Sequence, residues 1–385
     1  MKLGKCATLG ALAVVPLCIQ AQSHATKPDS VELYGMVGTG IAHDTVSYQG
    51  NRWSRVVPRS ELSMYGLRGR HSLANRFVVD FELTNGFTFL TGAGSQRAWS
   101  RESRLGLSHP TLGRVDVGRH YNTTAYWAGA TDALGGSFDL GGFDTVMMTG
   151  TRRDNMILYR TPMMDGWQAG IGWSPDVNGL ATDKRNEELA KKLPPGEAPR
   201  TFSSRNGQRH FDVGLRYAKG PLNLVATYDR AMRPDTGPES RRHKTIHGYF
   251  LGAAYNFDPI AIYGQFGQQF GGMMSTKGLQ FTPPAVRDKQ MKDFSYARGA
   301  RFDSIVLGVS HEAGPHRYMA SWQNMNTMGH AITGETAQMH VFSMAYRYTI
   351  SKRTELRAYA YVARNYAFVR ALNARTASVG IRHRF

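Results

Sequence analysis

Ala377-Ser378-Val379-Gly380-Ile381-Arg382-His383-Arg384-Phe385 closes the chain on a two-residue alternation. Ala377, Val379, Ile381 and Phe385 share one face of an extended strand; Ser378, Gly380, Arg382 and Arg384 share the other. Successive side chains of a strand point to opposite faces, so this pattern encodes a ribbon with one apolar and one polar side. Working outward, the same period recurs along nearly the whole chain. Phe77, Val79, Phe81 and Leu83 oppose Asp80 and Glu82. Trp167, Ala169, Ile171 and Trp173 alternate with Gln168, Gly170, Gly172 and Ser174. Phe211, Val213, Leu215 and Tyr217 alternate with Asp212, Gly214 and Arg216. Val31, Leu33, Gly35 and Val37 oppose Glu32, Tyr34 and Met36.

Sixteen segments read as strands: 31–41, 60–69, 76–87, 101–108, 113–120, 152–161, 166–174, 209–218, 221–230, 246–257, 259–268, 303–312, 315–324, 338–348, 354–365 and 375–385. Alternation alone does not separate a water-soluble sandwich, with its apolar faces inward, from a membrane barrel, with them outward. Strand number and connections do. Short links such as His109–Leu112, Lys219–Gly220 and Ala313–Gly314 alternate with long ones. Tight turns opposite long loops predict an all-β, 16-stranded antiparallel transmembrane barrel. An even count places both chain ends on one rim and lets the sheet close without a free edge. Aromatic residues at strand ends, among them Tyr65, Trp173, Tyr217, Tyr255, Phe257, Tyr346 and Phe385, suit a lipid–water girdle.

The N-terminus reads as an export signal over residues 1–21 or 1–25, leaving 26–385 as the barrel. Lys2 and Lys5 precede the apolar run Ala7–Ile19, and small residues follow at Ala21 and Ala25. The only cysteines, Cys6 and Cys18, lie within it, so the exported chain has no disulfide or thiol chemistry available. Losing Lys2 and Lys5 lowers the formal charge from +18 to +16. Such a balance often marks a nucleic-acid partner, but export and the lack of a nucleic-acid motif argue against one. A positive channel lining or attraction to acidic lipid headgroups fits better.

These residues carry a resemblance to the general diffusion porins of β-proteobacteria. Ser30–Gly35 (SVELYG) resembles the family's first strand, and Ser63–Gly69 (SMYGLRG) with Phe81–Phe87 (FELTNGF) its second and third. Leu105–Tyr121 and the segment from Arg153-Asp154-Asn155 to Gly166 are similar to the strands flanking its third loop. Ser351–Leu356 and Val379–Phe385 match its last two strands, while about 175–300 matches only in pattern. The resemblance implies a homotrimer in outer-membrane lipid, passing small hydrophilic solutes and ions without a cofactor. It implies a third long loop, 122–151, folded into the lumen. Acids on that loop, Asp132, Asp139 and Asp144, would face wall arginines Arg101, Arg119 and Arg153. It also implies that Phe385 is read by the barrel-insertion machinery. A family arginine falls at Met64 and a family lysine at Leu158, two departures from that constriction. Alternation adds Arg68, Arg76, Arg104, Arg160 and Arg216 as lumenal cations.

Two other function classes fit an outer-membrane barrel: a lipase or protease, and an adhesive or structural barrel. The sequence shows no Gly-x-Ser-x-Gly elbow, no His-Glu-x-x-His and no phosphate loop. His243 and His247 stand four apart without a third ligand, so no metal site is expected. The charged stretch 184–192 reads as a short helix in a solvated loop.

Overall fold

A computed structural model describes residues 29–95, 97–135, 140–143, 152–177, 208–233, 245–274, 278–289 and 295–385. The export signal, Asp139, Asp144 and the stretch 184–192 lie outside the described residues. The described chain is one antiparallel sheet rolled onto itself. Its strands are β1 (Ser30–Tyr48), β2 (Asn51–Ser60), β3 (Ser63–Ser72), β4 (Val78–Phe87), β5 (Glu102–His109), β6 (Gly113–Tyr121), β7 (Arg152–Arg160) and β8 (Trp167–Ser174). They continue as β9 (Arg209–Lys219), β10 (Leu222–Met232), β11 (Thr245–Asn256), β12 (Ile260–Met273), β13 (Ser295–Ala313), β14 (His316–Asn326), β15 (Met339–Thr349), β16 (Thr354–Arg364) and β17 (Asn373–Arg384).

Seventeen segments make sixteen walls. β2 and β3 are halves of one strand, interrupted at Glu61 and Leu62, and both pair with β1. The other edge of β1 pairs with β17, from Met36↔Arg384 to Ser47↔Asn373, which closes the barrel. Closure leaves the sheet no free edge, as a lipid setting demands.

The faces are inverted relative to a soluble protein. Val31, Leu33, Val379 and Met344 are each more than 60% exposed, whereas Asp116, Asp212 and Asp229 are fully buried. Rings crowd the turn-side ends of neighbouring strands: Trp167 lies 4.9 Å from Tyr217, Tyr255 4.5 Å from Phe257 and Tyr318 5.2 Å from Tyr346. Such rings hold the barrel at the interface between hydrocarbon and water.

The upper rim corrects the sequence reading. The expected long link between 41 and 60 is instead a hairpin, with β1 running to Tyr48 and β2 starting at Asn51. Gln49 (φ 49°) and Gly50 (φ 78°) form its two-residue turn, for which positive φ at both positions is the favoured geometry. β12 and β13 also run beyond 268 and before 303. Above the lipid the outer face need not be apolar, so alternation fades while pairing continues.

Candidate functional site: the loop inside the barrel

The third long loop turns inward at Tyr121. Asn122 caps the short helix α1 (Thr123–Ala128), its Oδ1 accepting from the Ala125 amide at 3.0 Å. The helix lies against the inner wall on a track of glycines. A Cβ at Gly214 would come within 2.8 Å of Thr123 and 2.9 Å of Trp127; one at Gly170 would come within 3.1 Å of Trp127. Further on, a Cβ at Gly308 would meet Ala133 at 2.7 Å. The wall is shaved to backbone where the loop passes, and Trp127 is buried there.

Polar bonds pin the same path. The Thr123 amide donates to Asp212 Oδ1 at 3.3 Å, and the Asn122 amide group to Asp229 Oδ1 at 2.8 Å. Thr124 hydrogen-bonds Asp229 as well. Gln265 Nε2 donates to the Ala128 carbonyl and the Thr131 hydroxyl, each at 3.0 Å. Ser321 and Gln323 reach the Gly141 carbonyl. At its own height the described part of the loop thus follows the wall from β8 to β15, across from the side of β1–β7.

That side is lined with arginines in ion pairs. Arg104 meets Asp80 at 2.8 Å, Glu82 at 2.7 Å, Glu102 at 3.2 Å and Asp116 at 3.1 Å. Arg114 and Arg160 reach Asp116 at 2.6 and 2.7 Å, and Arg68 pairs with Glu32. Arg160 also sits 4.2 Å from the ring centroid of Tyr126, linking α1 to the arginine wall. Arg152 stacks on Tyr121 at 4.2 Å, and Arg101 packs over Gly86.

The residues taken from the family fall in different settings. Arg119 pairs with Asp154 at 2.6 Å, which Arg97 also holds at 2.7 Å. Arg153 is buried, donating to the Arg152 carbonyl at 3.2 Å. Asp132 is buried within the loop, where its carboxylate accepts from the amides of Leu134 (3.0 Å) and Phe143 (2.9 Å). Met64 shares the inward face with Arg68, because Tyr65 and Leu67 point out. Leu158 is fully buried on the inner face of β7. Arg76 belongs to a turn, not to the lumenal wall, because the strand ends at Ser72 and resumes at Val78. Arg216 contacts Asn223 at 3.4 Å.

The sequence reading missed Asp212, Asp229, Arg114 and the far wall. There, Arg317, Arg347 and Arg357 are consecutive cross-strand partners on β14, β15 and β16. All three face inward, between the outward Tyr318, Met344 and Leu356. Arg317 pairs with Glu312 (3.0 Å) and Arg357 with Glu61. Arg347 has no carboxylate within ion-pair distance among the described residues. Like charges opposite each other in a ladder are unfavourable, so the row is a concentrated positive band.

If the glycine track sets the loop's place, Gly214→Val will push α1 off the wall and narrow the opening. Overpacking of this kind costs about 1–3 kcal/mol. Single-channel conductance in planar bilayers should fall, and adding Trp127→Ala should restore it. Unchanged conductance in Gly214→Val would show that the loop does not bound the ion path.

Comparison with known proteins agrees with this architecture. A sequence family described as Gram-negative porin matches residues 7–367. An outer membrane porin protein of Bordetella pertussis is 29% identical over 378 residues, covering 92% of this chain and 94% of that one. Outer membrane porin protein 32 of Delftia acidovorans is 24% identical over 324 residues, covering 79% and 84% respectively. Among solved structures, the anion-selective porin from Comamonas acidovorans superposes with a TM-score of 0.68 at 20% identity, over 93% of this chain and 100% of that one.

Proposed function

The chain belongs to the Gram-negative porin family and forms a water-filled diffusion channel in the outer membrane, and on that premise we propose that it is an anion-leaning homotrimer exported by its N-terminal signal. The observation that carries the preference is the Arg317–Arg347–Arg357 band, with Arg347 outside any ion pair among the described residues. Inward Arg382 and Arg384 add to it, against Glu355, Glu61 and Glu312. On the β3–β7 side, arginines and carboxylates are close to balance, so the far wall tips the sum. A fixed charge acts strongly on an ion in a narrow lumen. The structural relative named as anion-selective supports the same sign. The constriction is assigned to Arg101, Arg104, Arg119, Arg153 and Arg68 with the loop acids Asp139 and Asp144, and without Asp132, whose buried carboxylate is taken by the loop's own amides.

The trimer reading rests on the outer face at the seam. Val31, Leu33, Val379 and Ile381 are exposed there beside small Ala377 and Ala358, which allow a neighbouring barrel to approach closely. An outer membrane protein of Vibrio cholerae with the same fold is described in a trimer form.

The test is the reversal potential across a planar bilayer under unequal salt. The unmodified protein should give the anion sign. Met64→Arg adds one positive charge to the inward face near Arg68 and should raise the preference further. A cation sign in the unmodified trimer, or no shift in Met64→Arg, would overturn the assignment.

A further inference from the structure

Behind the root of the constriction loop, the wall holds a cluster that the channel reading does not use. Asp212 on β9 and Asp229 on β10 are direct cross-strand partners, and both carboxylates are fully buried. His210, also fully buried, puts its Nε2 3.1 Å from Asp212 Oδ2 and 3.4 Å from Asp229 Oδ1. One ligand atom from each of the three lies within 4.8 Å of the others. We propose that His210, Asp212 and Asp229 form a divalent transition-metal site that fastens the constriction loop to the barrel wall.

Charge is the first argument. Two facing carboxylates repel across a ladder, and burying them unpaired is costly. Among the described residues, His210 is the only basic group at ion-pair distance from either. Their remaining contacts are neutral donors: the Thr123 amide on Asp212, and Asn122 and Thr124 on Asp229. A divalent cation with a neutral imidazole balances two carboxylates; a protonated histidine leaves one charge over. The direction of the His210 ring is the second argument: its Nε2 faces both carboxylates, so with the ring proton on Nδ1 the Nε2 lone pair is free to serve a cation lying between them.

Spacing is the third. Metal bonds of about 2.1 Å opening at a tetrahedral angle span about 3.4 Å between ligand atoms, close to both separations from Nε2. One nitrogen and two carboxylate oxygens at tetrahedral spacing suit zinc or cobalt better than calcium or magnesium, which prefer oxygen-only shells. Space is provided too: a Cβ at Gly172 would meet Asp212 Oδ2 at 2.7 Å. Because Asn122, Thr123 and Thr124 all bind the two aspartates, the metal would stiffen the point where the loop leaves the wall. Histidine two residues before aspartate on one strand, with the third ligand on the next, matches no helical metal motif. That is why the sequence showed no site.

The experiment uses the full-length trimer refolded with and without Zn²⁺, then dialysed and analysed for metal. Wild type should retain about one zinc per protomer, and His210→Gln and Asp229→Asn should weaken binding by at least about tenfold to hundredfold. Zinc should raise the unfolding temperature of the wild type and not of the variants. Equal retention in wild type and variants would place the metal elsewhere, for instance at His243 and His247. Absence of retention in wild type would leave the cluster a hydrogen-bond clamp. Either result overturns the proposal. If neither variant assembles, the Co²⁺ spectrum of the wild type decides. Intense four-coordinate visible bands support the site; a faint six-coordinate spectrum overturns it.

Discussion

Arg347→Glu will shift the channel strongly toward cations and leave the trimer at least as stable as before. Arg347 stands between Arg317 and Arg357 in the ladder, with no carboxylate of its own among the described residues. A glutamate there turns three like charges into an alternating row, so the wall gains two attractive neighbours where it had two repulsive ones. The change is two units of charge on the inner wall. At 8 Å in bulk water each unit contributes about 0.5 kcal/mol to a passing monovalent ion, so the substitution amounts to about 1 kcal/mol, or about fivefold in local occupancy. The effect has opposite sign for anion and cation, which enlarges the change in their ratio. Screening over about 8 Å at physiological salt reduces it, so the shift should be largest in dilute salt. Reversal potentials at several ionic strengths measure both trends. A wild-type potential in a well-assembled Arg347→Glu trimer would mean that ions do not pass along the β14–β16 wall.

The barrel itself was legible because lipid enforces it. Every residue facing hydrocarbon must be apolar, so β9 shows Val213 and Leu215 outward against Asp212 and Gly214 inward. The same constraint explains what was lost. Where β1 and β2 rise above the lipid, His43, Thr45 and Ser54 serve as well as leucine would, and the alternation vanishes although the pairing is complete. The interior is harder still to read. Asp132 stands among the glycines of the inward loop, which suggests a pore-facing acid. The structure gives its carboxylate two backbone amides of the same loop. The glycines at 170, 214 and 308 look like ordinary porin-strand glycines until the loop is laid across them. Asp212 and Asp229 lie 17 residues apart in sequence and become neighbours only through the register of one hairpin. Wall pattern is a local property of the chain, while the lining of the opening depends on which distant strands the loop meets.

Deleting Phe385 should reduce the yield of folded trimer far more than the yield of polypeptide. The C-terminal residue completes the seam. Its amide donates to the Gly35 carbonyl and its carbonyl accepts from the Gly35 amide, both at 3.1 Å. Its ring lies over Gly35, where a Cβ would come within 2.6 Å of Cζ. A glycine opposite the terminal aromatic is therefore a steric requirement: Gly35→Leu should act like a partial deletion. Two backbone hydrogen bonds at about 1 kcal/mol each correspond to about thirtyfold in the closure equilibrium, before the ring's own burial is counted. Closure also removes the exposed edges of β1 and β17, which otherwise invite strand pairing between chains. The truncated chain should then accumulate as aggregate or as monomer. Light scattering of detergent extracts, with immunoblots of total cell protein, separates assembly from synthesis. A chain ending at Arg384 that yields normal trimer would show that the seam closes without its last residue. If Gly35→Leu assembles normally while the deletion does not, the ring's contact with Gly35 is dispensable. The effect would then belong to recognition of the C-terminus by the insertion machinery.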